Sequence, residues 1–205
     1  MDKRAIAHMD LDTFFVSCER LLDSRLNGLP ILIGGTSDRG VVASCSYEAR
    51  QFGIHSAMPM KLAKQLCPEA IIIKGNSGIY TKYSRLVTEV IQEYAPLYEK
   101  TSIDEFYLDF TGMDRFFGTL KYARELRERI MRETGLPISF GLSENKTVSK
   151  VATGEAKPNN QLHIDYGTEK MFLAPLPVKK IPMVGEKTQQ TLYGLGIRKI
   201  HTLQE

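Results

Sequence analysis

The sequence has little cysteine and no long apolar run, and both shortages narrow what it can be. Three cysteines, Cys18, Cys45 and Cys67, stand in 205 residues. They form no CxxC pair and have no histidine at ligand spacing, which argues against a zinc site. So sparse and odd a set reads as reduced thiols in a cytoplasmic protein. No apolar stretch precedes the acids of the N-terminal MDKRAIAHMDLD, so neither a signal peptide nor a membrane anchor is read there, and no membrane partner is expected. A GxxxxGK(S/T) loop is missing, which argues against a P-loop ATPase. Internal repeats and low-complexity tracts are missing too. So is an excess of one charge: 27 Lys+Arg against 24 Asp+Glu leave a net +3, a balance that permits a polyanionic partner without demanding one. What is present is globular material, 42% hydrophobic and 25% charged. It is long enough to bury a core and suffices for one large domain or two small ones.

Hydrophobic periodicity divides the chain into short elements. Residues 4–11 read as a buried strand and 13–23 as a helix. Strands follow at 29–33, ending at Gly34-Gly35, and at 41–46. A short helix at 47–52 stops at Gly53, and another at 59–67 starts with proline in its first turn. A third short strand covers 71–74, and an amphipathic helix 80–94. Strands at 97–103 and 105–110 flank a Ser-Ile-Asp-Glu corner. A charged amphipathic helix spans 116–133, then a strand 136–142 and a helix 146–155. Strands and helices mix without strict alternation, and two strands meet at 97–110, which favours an α+β fold with an antiparallel sheet. From about residue 165 the texture changes to short apolar pieces punctuated by Gly185, Gly194 and Gly196, read as a small separate helical module.

Asp10 and Asp12 end the first strand; Asp104 and Glu105 occupy the later strand corner. Acids beside Ile, Leu and Phe runs are costly to bury unpaired, and neighbouring carboxylates repel, so that one tends to hold a proton. A bound divalent cation removes both problems, and hard oxygen ligands suit magnesium. Two such ions can clamp the attacking and leaving oxygens of an in-line phosphoryl displacement. The bland alternative treats each acid as an ordinary strand-end or turn residue, with Asp12 as an N-cap for the helix at 13–23.

The segments HMDLDTFFVSCE, GVVASCSYEARQFGI, SAMP, YTKYS, SIDEFYLD, GLSENKTVSKVAT and AKPN, in this order, resemble the Y-family translesion DNA polymerases, in their DinB-like or DNA polymerase IV branch. The resemblance covers nearly the whole chain. It implies a palm at 1–12 and 75–164 with an antiparallel sheet and packed helices, small α/β fingers at 13–74, and a partial all-α helix-hairpin-helix thumb at 165–205. It also implies that this is an N-terminal fragment lacking the little finger that grips duplex DNA. Family metal ligands fall on Asp10, Asp104, Glu105 and the carbonyl of Leu11, with two Mg2+ ions as cofactors. The triphosphate grip falls on Ser44, Tyr47, Arg50 and Lys157, whose hydroxyl, phenol, guanidinium and ammonium groups all supply donors to phosphate oxygens. Phe15 falls on the steric-gate position, where a ring would collide with a ribose 2′-hydroxyl. Val42, Ala43, Ala57 and Met58 fall near the roof over the nascent base pair, with Met58 narrowing it.

In the hairpin IPMVGEKTQQTLYGLG, the residues expected to meet a DNA phosphate are Val184, Gly185 and Lys187. Met183 stands where the family usually has glycine, and Asn160 replaces a common glycine after AKPN, with asparagine's tolerance of positive φ expected to preserve the turn. The implied partners are primer-template DNA, deoxynucleoside triphosphates and a sliding clamp reached through the missing C-terminal part. The implied state is a cytoplasmic monomer. Two other readings share parts of this pattern: a cyclase-like palm enzyme without a template, and a non-catalytic DNA-binding scaffold. AKPN, Phe15 and the hairpin argue against the first; the presence of all three carboxylates argues against the second.

Overall fold

A computed structural model describes residues 3–95, 97–113 and 118–205. In chain order the strands are β1 (Ile6–Leu11), β2 (Ile31–Gly34), β3 (Val42–Cys45), β4 (Ile71–Ile73), β5 (Tyr98–Lys100), β6 (Glu105–Asp109), β7 (Ile138–Ser143) and β8 (Gln161–His163). The helices are α1 (Phe14–Leu22), α2 (Tyr47–Arg50), α3 (Met60–Leu66), α4 (Ser77–Tyr94), α5 (Thr119–Thr134), α6 (Lys146–Ala156), α7 (Glu169–Leu173), α8 (Glu186–Gly194) and α9 (His201–Gln204). The α+β class expected from the sequence is borne out. Contacts divide the chain into two compact units, one of Met1–Asp10, Val90–Arg129 and Ile138–Glu205, the other of Leu11–Glu89 and Ile130–Pro137.

The first unit is built on a five-stranded sheet of order β5-β6-β1-β7-β8. β1 and β5 both pair antiparallel with β6, as the corner at 97–110 suggested. The sheet is not antiparallel throughout, however: β8, which the sequence reading did not find, lies parallel to β7. Three residues are too few to carry a period, so its pairing partner rather than its own pattern makes it a strand.

Register here is set by burial. β6 alternates, with Phe106 and Leu108 fully buried, and Phe110 just beyond the strand is buried as well. A one-residue slip against β1 would turn those side chains to the other face, and each is worth roughly 1.5–3 kcal/mol of burial. The same register sets Asp10 opposite Glu105 and His8 opposite Tyr107.

Helix α6 packs on β7, and the approach is closer than any side chain would allow. A Cβ built on Gly141 would stand 2.1 Å from the Ser149 carbonyl oxygen. Asn145 caps α6, its side chain accepting from the Val148 N–H at 2.9 Å. On α5, Ala123, Leu126 and Ile130 recur at helical spacing and are all buried. The predicted helix began at Phe116, but residues 116 and 117 lie outside the described residues. Helix α4 begins at Ser77 rather than Tyr80, where the Asn76 side chain accepts from the Ile79 N–H and starts the first turn.

The segment from residue 165 falls within the first unit. Ile164 packs with Val148 and Ala152, joined by Leu162, Phe172 and Leu173, and Lys180 reaches Glu155 at 2.8 Å.

The second unit holds a three-stranded sheet, β3-β2-β4, with β2 antiparallel to β3 and parallel to β4. Its core gathers Leu32, Val42, Cys45, Ala49, Ile54, Met58, Met60, Ala63 and Cys67. Asp12 does not cap α1: the N-cap is Thr13, in the left-handed region at φ 38 and without a side-chain cap bond. Asp12 is instead buried, its backbone N–H donating to Pro137 O at 2.9 Å and its carbonyl accepting from the Ser17 hydroxyl at 2.7 Å. Among the described residues, no helix is long and apolar enough to cross a membrane.

Candidate active site

Period two along β1 puts His8 and Asp10 on one face, and the β1–β6 register brings Glu105 against Asp10. Asp104 sits half-buried at the bend before β6, its carboxylate accepting from the Ser102 hydroxyl at 2.7 Å. One ligand atom each from His8, Asp10 and Glu105 lie within 4.8 Å of one another.

The two paired acids are pushed in opposite directions. Burial raises the pKa of Asp10, and the nearby Asp104 charge pushes the same way, while the Lys157 ammonium at 2.7 Å works against both. Glu105 is held down to about 2, first by the His8 ring at 2.6 Å and also by Lys150 at 2.5 Å, against the cost of burial. Lysines therefore supply here the positive charge that two crowded carboxylates need. Oxygen donors this close, in a site where burial penalises their charge, fit a hard divalent cation.

Helix α6 organises this face. Its Ser149 hydroxyl donates to the carbonyl of Ile6 at 2.6 Å, and its Thr153 hydroxyl lies 2.9 Å from the carbonyl of His8, holding helix against strand. Lys150 projects from the same helix, and Lys157 follows its C-terminus, 147 residues from the Asp10 it meets. Positive φ after this point belongs to Asn159, at φ 46, and not to Asn160. Asn160 is fixed in the sheet's hydrogen bonding, its N–H donating to the Ser139 hydroxyl and its carbonyl accepting from Phe140.

In the second unit Phe14 is buried, while Phe15 beside it is half-buried and stacks on Tyr80, with centroids 4.3 Å apart and planes 17° apart. The Tyr80 hydroxyl donates to Glu19 at 2.6 Å. Ser44 on β3 and Tyr47 and Arg50 on α2 share one short segment, with the Arg50 guanidinium 5.0 Å from the centre of the Tyr47 ring. Ser46 caps α2, its hydroxyl accepting from Ala49 N. Of the residues expected at a roof, Ala43 and Ala57 are exposed, but Val42 and Met58 point into the core. Met58 is apolar, and its side chain is buried in that core.

The predicted DNA contacts lie at the turn before α8. Gly185 is the N-cap, and Met183, fully exposed, is held at φ 70. The N–H groups of Val184 and Gly185 are donated within the turn, to Ile181 O at 3.1 Å and Met183 O at 3.2 Å. Lys187 is exposed in the first turn of α8.

The sequence reading missed His8, Lys150, Thr153 and Tyr80. A signal existed for His8, two residues before Asp10 on the same strand face. None existed for Thr153 or Tyr80, whose roles come from partners more than sixty residues away.

Residues 9–154 match the profile of the impB/mucB/samB family, and residues 166–197 match that of the IMS family HHH motif. The chain belongs to the impB/mucB/samB family, and its kinship with the Y-family, DinB-like polymerases is thereby borne out. It is 44% identical over 199 residues to a DNA polymerase IV of Dehalococcoides mccartyi, covering 96% of this chain and 51% of that protein. It is 40% identical to the DNA polymerase IV of Treponema denticola, covering 97% and 50%. Among solved structures it is similar to DinB from Sulfolobus solfataricus, with a TM-score of 0.90 at 30% identity over 98% of this chain and 60% of that one. An insertion ternary complex of Dbh DNA polymerase gives a TM-score of 0.89, also at 30% identity and with the same shares of the two chains. The chain thus spans about half the length of the curated relatives it matches.

Proposed function

We propose that this chain is the nucleotide-adding portion of a template-directed translesion DNA polymerase, which extends a primer 3′-hydroxyl with deoxynucleotides. The observation that carries this reading is the cross-strand pair Asp10–Glu105, each acid met by a lysine, with the Asp104 charge felt at Asp10. Asp10, Asp104, Glu105 and the Leu11 carbonyl would hold two Mg2+ ions. When bound, these supply charge neutralisation for the attacking hydroxyl and the leaving pyrophosphate. Lys157 neutralises Asp10 and, as a point charge, is the group assigned to the triphosphate. Ser44, Tyr47 and Arg50 offer further donors to phosphate oxygens. Phe15, steadied by Tyr80, presents a flat ring to the sugar and excludes a 2′-hydroxyl. Val184, Gly185 and Lys187 are assigned to the DNA backbone, with Lys187 an exposed donor and the turn's own N–H bonds competing with a phosphate.

The palm is assigned to 1–12 and 75–164, the fingers to 13–74 and the partial thumb to 165–205. Primer-template DNA and deoxynucleoside triphosphates are the partners. A sliding clamp would be met through a C-terminal part outside this chain, and a cytoplasmic monomer is the working state. The test is primer extension with Mg2+ on normal and damaged templates by the intact gene product. Asp104→Ala is expected to abolish addition while leaving the protein folded. Extension by that variant at the wild-type rate removes Asp104 from the metal site, and no template-dependent product at all removes the polymerase reading.

A further inference from the structure

We propose that His8 is a positioning residue for the Glu105 carboxylate, and that Thr153 in turn fixes His8; the inference rests on the metal-binding reading above. His8 is 1% exposed, and both of its ring nitrogens are engaged. Nε2 lies 2.6 Å from Glu105 Oε1, and Nδ1 lies 2.7 Å from Thr153 Oγ1. Facing a carboxylate, Nε2 carries the hydrogen. The Thr153 oxygen also lies 2.9 Å from the carbonyl of His8 and 2.9 Å from that of Ser149, acceptors that share its single proton with Nδ1, so it sits between strand and helix. The Tyr107 ring stands 4.8 Å from the imidazole and tilted 55° to it. Contacts at both nitrogens and a flanking ring hold the buried imidazole in place.

The consequence falls on Glu105. Its Oε1 receives both His8 and Lys150, which leaves Oε2 as the oxygen for a cation. Lys150 cannot set that orientation alone, because its side chain is long, flexible and 39% exposed. His8 is the rigid partner, so a cation meets a carboxylate already turned toward it and pays less to order it. Loss of such an outer partner typically weakens metal affinity by about 10–100-fold.

The test titrates Mn2+ into the 205-residue chain and follows free Mn2+ by electron paramagnetic resonance, with thermal unfolding of each variant alongside. His8→Phe keeps a ring and removes the donor; its Kd for Mn2+ is expected to rise at least about tenfold. His8→Gln restores a donor toward Glu105 and is expected to bind within about threefold of wild type. Thr153→Val, which keeps shape and removes the hydroxyl, is expected to weaken binding in the same direction, and it decides the matter if His8→Phe does not fold. Wild-type affinity in a folded His8→Phe or Thr153→Val overturns the proposal, as does a Gln variant no better than Phe. Asp10→Asn and Glu105→Gln separate the two levels. If they too bind Mn2+ normally, or if the wild-type chain binds none, the metal reading itself fails. If they lose Mn2+ while His8→Phe keeps it, only the positioning role is lost.

Discussion

Gly141→Ala tests the packing on which the site depends. The added methyl would lie 2.1 Å from the Ser149 carbonyl oxygen and 2.7 Å from both Ala152 Cβ and Thr153 N. All three atoms belong to α6, and two are backbone, so no rotamer change relieves the clash. Ordinary contact begins at 3.4 Å, so helix and strand must part by about 1.3 Å. Overpacking of this kind costs about 1–3 kcal/mol, and a backbone obstacle puts the substitution at the upper end. For a chain of this size each kcal/mol lowers Tm by about 2–4 °C, so a fall of about 6–12 °C is expected. Because Thr153 and Lys150 ride on the displaced helix, Mn2+ binding should weaken along with stability. Thermal unfolding by circular dichroism and the Mn2+ titration read the two effects. A Tm within about 2 °C of wild type would refute the argument that α6 and β7 are in rigid contact.

Phe15→Ala should admit ribonucleotides in primer extension by the intact gene product, and unchanged discrimination between ATP and dATP would refute the gate. Glu105 contributes an acid-dependent stability. Its pKa is depressed in the folded state, so the contribution is full above about 4.5 and is lost as pH falls toward about 2. Denaturant midpoints measured across that window should fall less steeply for Glu105→Gln than for wild type, and parallel slopes would contradict the assignment. Met183 is fully exposed at φ 70, so Met183→Gly relieves left-handed strain without losing packing. A gain of about 1 kcal/mol, read as a Tm rise of about 2–4 °C, is expected, and a lowered Tm would show that the turn is not strained.

Much of this protein was legible from local pattern. β-branched runs marked β2 and β4, helical spacing marked α4 to α6, and punctuating glycines marked the turn before α8. The acids at 10, 104 and 105 stood out because carboxylates beside apolar strands need a counter-charge. Other features gave no local signal. β8 is three residues held by its neighbour, and Met58 looked like part of an opening until packing placed it in a core.

By itself, the sequence determined the α+β class, the family and the acidic residues proposed to hold a metal, because strand and helix periods and motif order are written in neighbouring residues. Only the tertiary structure decided which oxygen of Glu105 is taken, that His8 and Thr153 stand behind it, and that Lys150 and Lys157 balance the acids. Those facts depend on sheet register and on the approach of α6 across Gly141, which join residues up to 147 positions apart and leave no trace in any short window.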